Sequence, residues 1–150
     1  MSRVKQGGDK GHKLLVTCTP STALKNTIDG YSKASDAIGK LVTIADGYVV
    51  SLVADNAVPN GQIEAVEGNK DTGYVLTVHL FALNSQNTGN GWFKPSVIVN
   101  MKYSGVLAFG DTIQANGTDG VNVDDAGTLA GTGFVLAVDN PASGYADVAF

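Results

Sequence analysis

The chain has 150 residues, 43% of them hydrophobic and 16% charged, with one cysteine and a net charge of −4. That is enough chain for one domain with its own core, and a single cysteine rules out a disulfide within it. Soluble domains average roughly 25% charged residues, so the shortfall, together with 19 glycines, points to an all-β surface of Thr, Ser and Asn or to surface covered in an assembly.

Residues 1–12 are polar and aperiodic and read as a flexible basic arm, with a single β domain expected over 13–150. Lys13 to Cys18 reads as a first strand stopped by Pro20. Between Ser21 and Gly39 a short helix capped by Ser21 and a set of turns are both open, because Gly30 interrupts the apolar pattern of Ala23, Leu24 and Ile28. Strands are expected at 41–44, 48–53 and 62–66, divided by Asp46-Gly47 and Pro59-Asn60-Gly61. Tyr74 to Phe81 alternates most cleanly, with Tyr74, Leu76, Val78 and Leu80 on one face and Val75, Thr77, His79 and Phe81 on the other, both faces expected to be covered. A polar tip at 84–90 leads into Trp92-Phe93. Further strands are expected at 97–103, 105–108, 112–115, around 121–123, at 134–138 and at 145–150. About ten short strands with glycine-rich hairpins and little helix define an all-β barrel or sandwich, two architectures that share one alternation. A glycine-aromatic pair recurs at Gly47-Tyr48, Gly73-Tyr74, Gly133-Phe134 and Gly144-Tyr145, too unevenly spaced for a solenoid.

Charge divides the chain. Residues 1–40 carry seven bases against three acids, and residues 41–150 three bases against eleven acids. The basic leading segment suits an acidic protein surface or a neighbouring subunit. Nucleic acid is not an expected partner, because the bases are few and the body would repel phosphate. No run of 18 apolar residues and no hydrophobic signal core occurs, so neither membrane insertion nor export is expected, and assembly in the cytoplasm is.

Chemistry-bearing residues are sparse. Cys18 reads as a small core residue. His12 and His79 sit in no metal-ligand spacing, and a strand histidine is the simpler reading of His79. Asp119, Asp124 and Asp125 lack the acidic twelfth position of a calcium loop and read as turn formers. No nucleophile, base and orienting group stand at a recognisable spacing, so no enzyme, cofactor or metal is expected. The candidate partner-binding residues are Arg3, Lys5, Lys10 and Lys13 of the basic segment, and Trp92 and Phe93 beside the polar tip.

The order of elements resembles the small decoration (cement) proteins of tailed bacteriophage heads. The resemblance is carried by Gly110-Asp111-Thr112-Ile113-Gln114-Ala115, by the glycine-rich return from Gly127 to Leu136, and by the closing strand from Ala146 to Phe150; it is loose over 41–150 and best over 105–150. It implies a non-enzymatic virion protein, usually a homotrimer, that sits on the outside of an expanded capsid and clamps neighbouring copies of the major capsid protein. Two other readings stay open. A carbohydrate- or host-surface-binding module of a phage tail or spike would use Trp92, Phe93 and the 84–90 loop, and a small hydrolase or isomerase would gather Asp124, Asp125 or His79 in a pocket.

Overall fold

The computed structural model describes residues 13–81 and 97–150. The all-β expectation holds: ten strands and one α-helix make up the described fold. The strands are β1 (Leu14–Pro20), β2 (Leu41–Ala45), β3 (Val49–Leu52), β4 (Gly61–Asn69), β5 (Gly73–Leu80), β6 (Ile98–Tyr103), β7 (Ile113–Asn116), β8 (Asn122–Asp125), β9 (Phe134–Val138) and β10 (Tyr145–Ala149). Of the two options for 21–39, the helix forms: α1 (Thr22–Asp29) starts where the Ser21 side chain accepts the Leu24 N–H and ends at Gly30. Capping satisfies a donor that the first turn leaves orphaned, and Leu24 and Ile28, four apart, fall on one buried face. A 3₁₀ turn at Ala34–Ala37 follows.

Strands β1 to β5 close into a barrel with the order β1-β3-β2-β4-β5, in which β1 is parallel to β3 and antiparallel to β5. Alternation decides what fills it: Cys18, Val42, Val50, Ile63, Tyr74, Leu76 and Val78 point inward and form one buried cluster with Leu24, Ile28 and Ala37. The helix therefore supplies part of this barrel's core. Cys18 is 2% exposed, and burial pushes its thiol pKa up, in keeping with a packing role.

Strands β6 to β10 repeat the same plan. Their order is β7-β8-β6-β10-β9, with β6 parallel to β8 and antiparallel to β10. The two edges meet through an antiparallel bridge between Ile113 and Thr132. Renumbered from its own first strand, this ring has the order of the first one. The match extends to single hydrogen bonds. In the first unit, Gly39 N–H donates to Ile63 O at 2.8 Å and Ile63 N–H to Lys40 O at 3.0 Å; in the second, Gly110 N–H donates to Val135 O at 2.8 Å and Val135 N–H to Asp111 O at 3.0 Å. Gly73, the first residue of β5, and Gly144, just before β10, turn the chain into these strands with φ of 83° and 84°, a left-handed conformation that a Cβ disfavours.

Two expectations are corrected. Gly105 to Ala108 is not a strand: the β6–β7 connection is irregular, with Leu107 buried and Val106 88% exposed, because Gly105 takes a left-handed φ of 73° and Ala108 bonds locally with Asp111 in a turn instead of along a ladder. The outer face of β5 is covered only at its end. Val75 is 46% exposed while His79 and Phe81 are buried, since the second unit packs on that end alone.

The units share a seam. The buried cluster of the second unit includes Leu41, Val53 and Phe81 from the first, and the Phe81 and Phe150 rings, each just past the last strand of its unit, stack at 4.4 Å. Leu41 N–H also donates to Gly120 O at 2.8 Å across this seam.

Candidate functional site

A trough runs along the seam, floored by the outward residues of β6. At one end lies a cavity of about 230 Å³ lined by Lys13, Gln62, His79, Ile98, Val99 and Asn100. At the other end a cavity of about 340 Å³ is lined by residues including Ile38, Lys40, Gln62, Asn100, Lys102 and Tyr145. Gln62 and Asn100 border both, so the two cavities adjoin along β6.

His79 is the one histidine among the described residues and is 2% exposed. Its Nδ1 lies 3.7 Å from Glu64 Oε1, too long for a hydrogen bond, and its Nε2 has no partner. Glu64 is instead engaged by Lys13 Nζ at 3.0 Å. Burial, and then Lys13, push the imidazole pKa down against the opposing pull of Glu64, so the ring is held toward its neutral form. A neutral, buried imidazole packed edge-on against Phe81, ring centres 5.3 Å apart, contributes shape to the seam. Deeper in the second unit, Asp147 is buried and accepts from Asn100 Nδ2 at 3.0 Å and Asn140 Nδ2 at 2.8 Å. Two amide donors are what a buried carboxylate needs, so this group fastens β6 to β10.

The described surface also carries exposed apolar side chains of a different kind, scattered on the first unit and grouped on the second. On the first unit, Leu15 (53% exposed) and Val75 point outward from β1 and β5 but stand apart, Leu15 paired with His79 and Val75 with Glu67, with the Thr17–Thr77 pair between them. On the second, Phe109 (70% exposed) meets Phe134 edge-to-face at 5.3 Å, and Leu129 and Leu136 are exposed as well. Large apolar groups grouped in this way mark contact surfaces.

Of the residues expected to bind partners, Arg3, Lys5, Lys10, Trp92 and Phe93 lie outside the described residues, as do the basic arm and His12. Lys13 is tied to Glu64 at the mouth of the His79 cavity. Asp119 and Asp125 accept the backbone N–H groups of Val121 and Gly127, the local turn bonds expected of them, and Asp124 pairs with Asn116 at 2.9 Å. Neither Asp124 nor Asp125 lines the His79 cavity, so the groups a hydrolase would gather are not brought together there. Among the described residues no group of three or more His, Cys, Asp or Glu is placed to hold a metal ion, and no helix is long and apolar enough to cross a membrane.

Sequence reasoning missed Glu64, Gln62 and Asn100, which gather only because distant strands meet. It also passed over Phe109, although an aromatic directly before a turn glycine, outside any alternating run, is a signal for an exposed ring. Comparison with protein-family models, with curated proteins and with solved structures finds no match.

Proposed function

We propose that this protein is a structural component of a bacteriophage virion, a decoration protein that binds the outside of the capsid as a homotrimer and holds neighbouring copies of the major capsid protein together. The observation that carries the reading is the exposed ring pair of Phe109 and Phe134 on one closely packed β body whose first unit bears further exposed apolar side chains, Leu15 and Val75. A protein that must touch its own copies and a shell at once needs more than one adhesive face, and multivalent attachment multiplies weak contacts into firm occupancy. The strands that present these faces are backed by continuous buried clusters, so little ordering entropy is lost on contact. The resemblance over residues 105–150 supports the same reading, and Phe109, Leu129 and Phe134 fall within it.

In this reading the protein has no catalytic or cofactor role and its partners are proteins, not nucleic acid or membrane. It joins the virion after synthesis in the host cytoplasm. Arg3, Lys5 and Lys10 add a basic contact to an acidic shell surface or an adjacent subunit. The test is co-sedimentation of the purified protein with expanded, undecorated shells of the parent phage. Saturable binding at symmetry-related positions is expected, with lower occupancy after deletion of residues 1–12, a difference that is largest at low salt and shrinks as salt screens the arm. Absence of binding to such shells at any salt concentration would overturn the reading.

A further inference from the structure

Three buried oxygens on one hairpin of the second unit lack a donor. Gln114 Oε1, Asn122 Oδ1 and Asp124 Oδ1 are shut away from solvent without a hydrogen-bond partner, a state that costs each acceptor its solvation. In the β7–β8 ladder Gln114 stands directly opposite Asp124, and Asn116 opposite Asn122. Ile113, Ala115 and Val123 alternate with them and enter the core, so the four polar side chains share the other face. Opposed residues on one face have Cβ atoms about 4.5–5.5 Å apart, and Asn116 Nδ2 crosses the diagonal to reach Asp124 Oδ2 at 2.9 Å.

Carboxylates fix which way two of the amides point. Asn56 turns its Nδ2 toward Asp55 Oδ2 at 3.4 Å, so its Oδ1 meets Gln114, which must answer with Nε2, at 3.0 Å. The Gln114 Oε1 is left over, in a side chain 5% exposed. Asp124 likewise gives one oxygen to Asn116 and keeps the other. The result is a set of acceptors with a negative charge and no proton to share. A water molecule has two protons and can serve two of the three oxygens; a cation serves all three at once.

We propose that Gln114, Asn122 and Asp124 bind a calcium ion that braces β7 against β8. Calcium takes amide and carboxylate oxygens in irregular arrangements, whereas magnesium demands a near-ideal octahedron and zinc favours nitrogen and sulfur. It sits about 2.3–2.6 Å from its oxygens, closer than water, and so fits between atoms that water does not touch. The surrounding charge has the right sign: Asp55, whose Oδ1 takes the Gly117 N–H at 2.7 Å, Asp119 and Asp125 all lie in or beside the hairpin turn. Lys102, the parallel-ladder partner of Asn122, is exposed and keeps its charge in water. With one carboxylate among the ligands, the affinity falls at the weak end of calcium sites, a Kd of about 0.1–1 mM. In the first unit Val50 holds the place of Val123 in the parallel ladder, so Thr43 with Ser51 stands where Gln114 faces Asp124, and that hairpin has no comparable oxygen set. The ion is thus placed on the edge hairpin of the unit with fewer closing bonds.

The test uses the full chain, stripped of metal with a chelator, and needs no shell, so its outcome is separate from the capsid reading. Calcium chloride at about 10 mM should raise the thermal unfolding midpoint by about 3–6 °C over sodium chloride of equal ionic strength, for a Kd of about 1 mM. Magnesium chloride should raise it clearly less. Asp124→Asn, which keeps an acceptor for Asn116 but removes the charge, and Gln114→Ala should each abolish the calcium response, and Asp125→Asn should retain it, with far-UV circular dichroism to check each fold. In the unaltered chain, calcium should slow amide hydrogen exchange in β7 and β8 and leave β2 and β3 unchanged, a readout that stands even where a variant fails to fold. A midpoint indifferent to calcium, an equal response to magnesium, a response that persists in Asp124→Asn or vanishes in Asp125→Asn, or slowing spread evenly over both units would overturn the proposal.

Discussion

The two five-stranded units share a strand order and a pattern of parallel and antiparallel pairs, yet they are completed differently. The first closes by continuous ladders, and its cluster of Cys18, Leu24, Ile28, Val42, Val50, Leu76 and Val78 is drawn entirely from its own residues. The second is a five-stranded sheet whose edges meet only through the Ile113–Thr132 bridge and the bonds of Val135 with Gly110 and Asp111; it has a short irregular connection where the first has α1, and buries Leu41, Val53 and Phe81 of its neighbour in its own core. One unit is self-sufficient and the other is finished by contact. A duplicated fold can thus lose the segment that completes it, provided that the preceding copy supplies the missing apolar surface.

The sharpest way to break this comparison is at the shared ring stack. Phe81→Ala should cost about 3–5 kcal/mol in denaturant unfolding, the usual range for emptying a buried phenylalanine site. Hydrogen exchange should then accelerate more in β7 to β10 than in β1 and α1, and equal acceleration in both would show that the second unit does not depend on the first. Leu24→Ala should cost about 2–5 kcal/mol, with the opposite pattern, because its cavity opens only in the cluster of the first unit.

The seam also has a pH signature. The His79 pKa is lowered in the folded chain relative to its ordinary 6.5, so the unfolded chain binds the proton more readily. The stability linked to this group is fully present above about pH 6.5 and declines as pH falls toward the folded pKa, by at most about 1.4 kcal/mol per pH unit. Replacing His79 with Gln should flatten the difference between pH 7 and pH 5 in unfolding midpoints, and an unchanged slope would place its origin elsewhere. The smallest effect concerns two tyrosines, one in each unit. Tyr74 OH donates to Asp29 at 2.7 Å and so ties β5 to the end of α1, while Tyr103 OH donates to Asp139 at 2.8 Å in the unit without a helix. Both carboxyls are held below their ordinary pKa, Asp29 chiefly by Tyr74 and then Lys25, Asp139 chiefly by the Gly144 N–H and then Tyr103. Tyr74→Phe should lower the unfolding midpoint more than Tyr103→Phe, because only the first bond anchors a helix that fills a core; the reverse order would remove α1 from that role.

Most of the strands were legible because the signals are local. Val49-Val50-Ser51-Leu52 and the alternation of 74–81 mark pleated segments wherever they lie, and Asp46-Gly47 forces a turn without reference to the rest of the chain. The candidate site was far less legible. His79 was visible as a mid-strand histidine, but its burial depends on Ile98 and Asn100, about twenty residues on in sequence, and Glu64 reaches Lys13 across a separation of 51 residues. The strand expected at 105–108 failed for a related reason: Val106 and Leu107 have strand propensity, but Gly105 and the local bonds between Ala108 and Asp111 turn the chain there.

By itself, the sequence determined an all-β chain of short strands, the positions of its turns, a small buried cysteine and a division between a basic start and an acidic body. These follow from backbone geometry, side-chain period and charge, which neighbouring residues settle among themselves. Only the tertiary structure decided that β1 runs beside β3 as β6 runs beside β8, that one unit's residues complete the core of the other, and that the Phe109 and Phe134 rings meet on the surface. Strand pairing is a contest among distant segments, won by whichever register buries the most apolar surface while leaving no backbone group unpaired, and that balance exists only in the assembled chain.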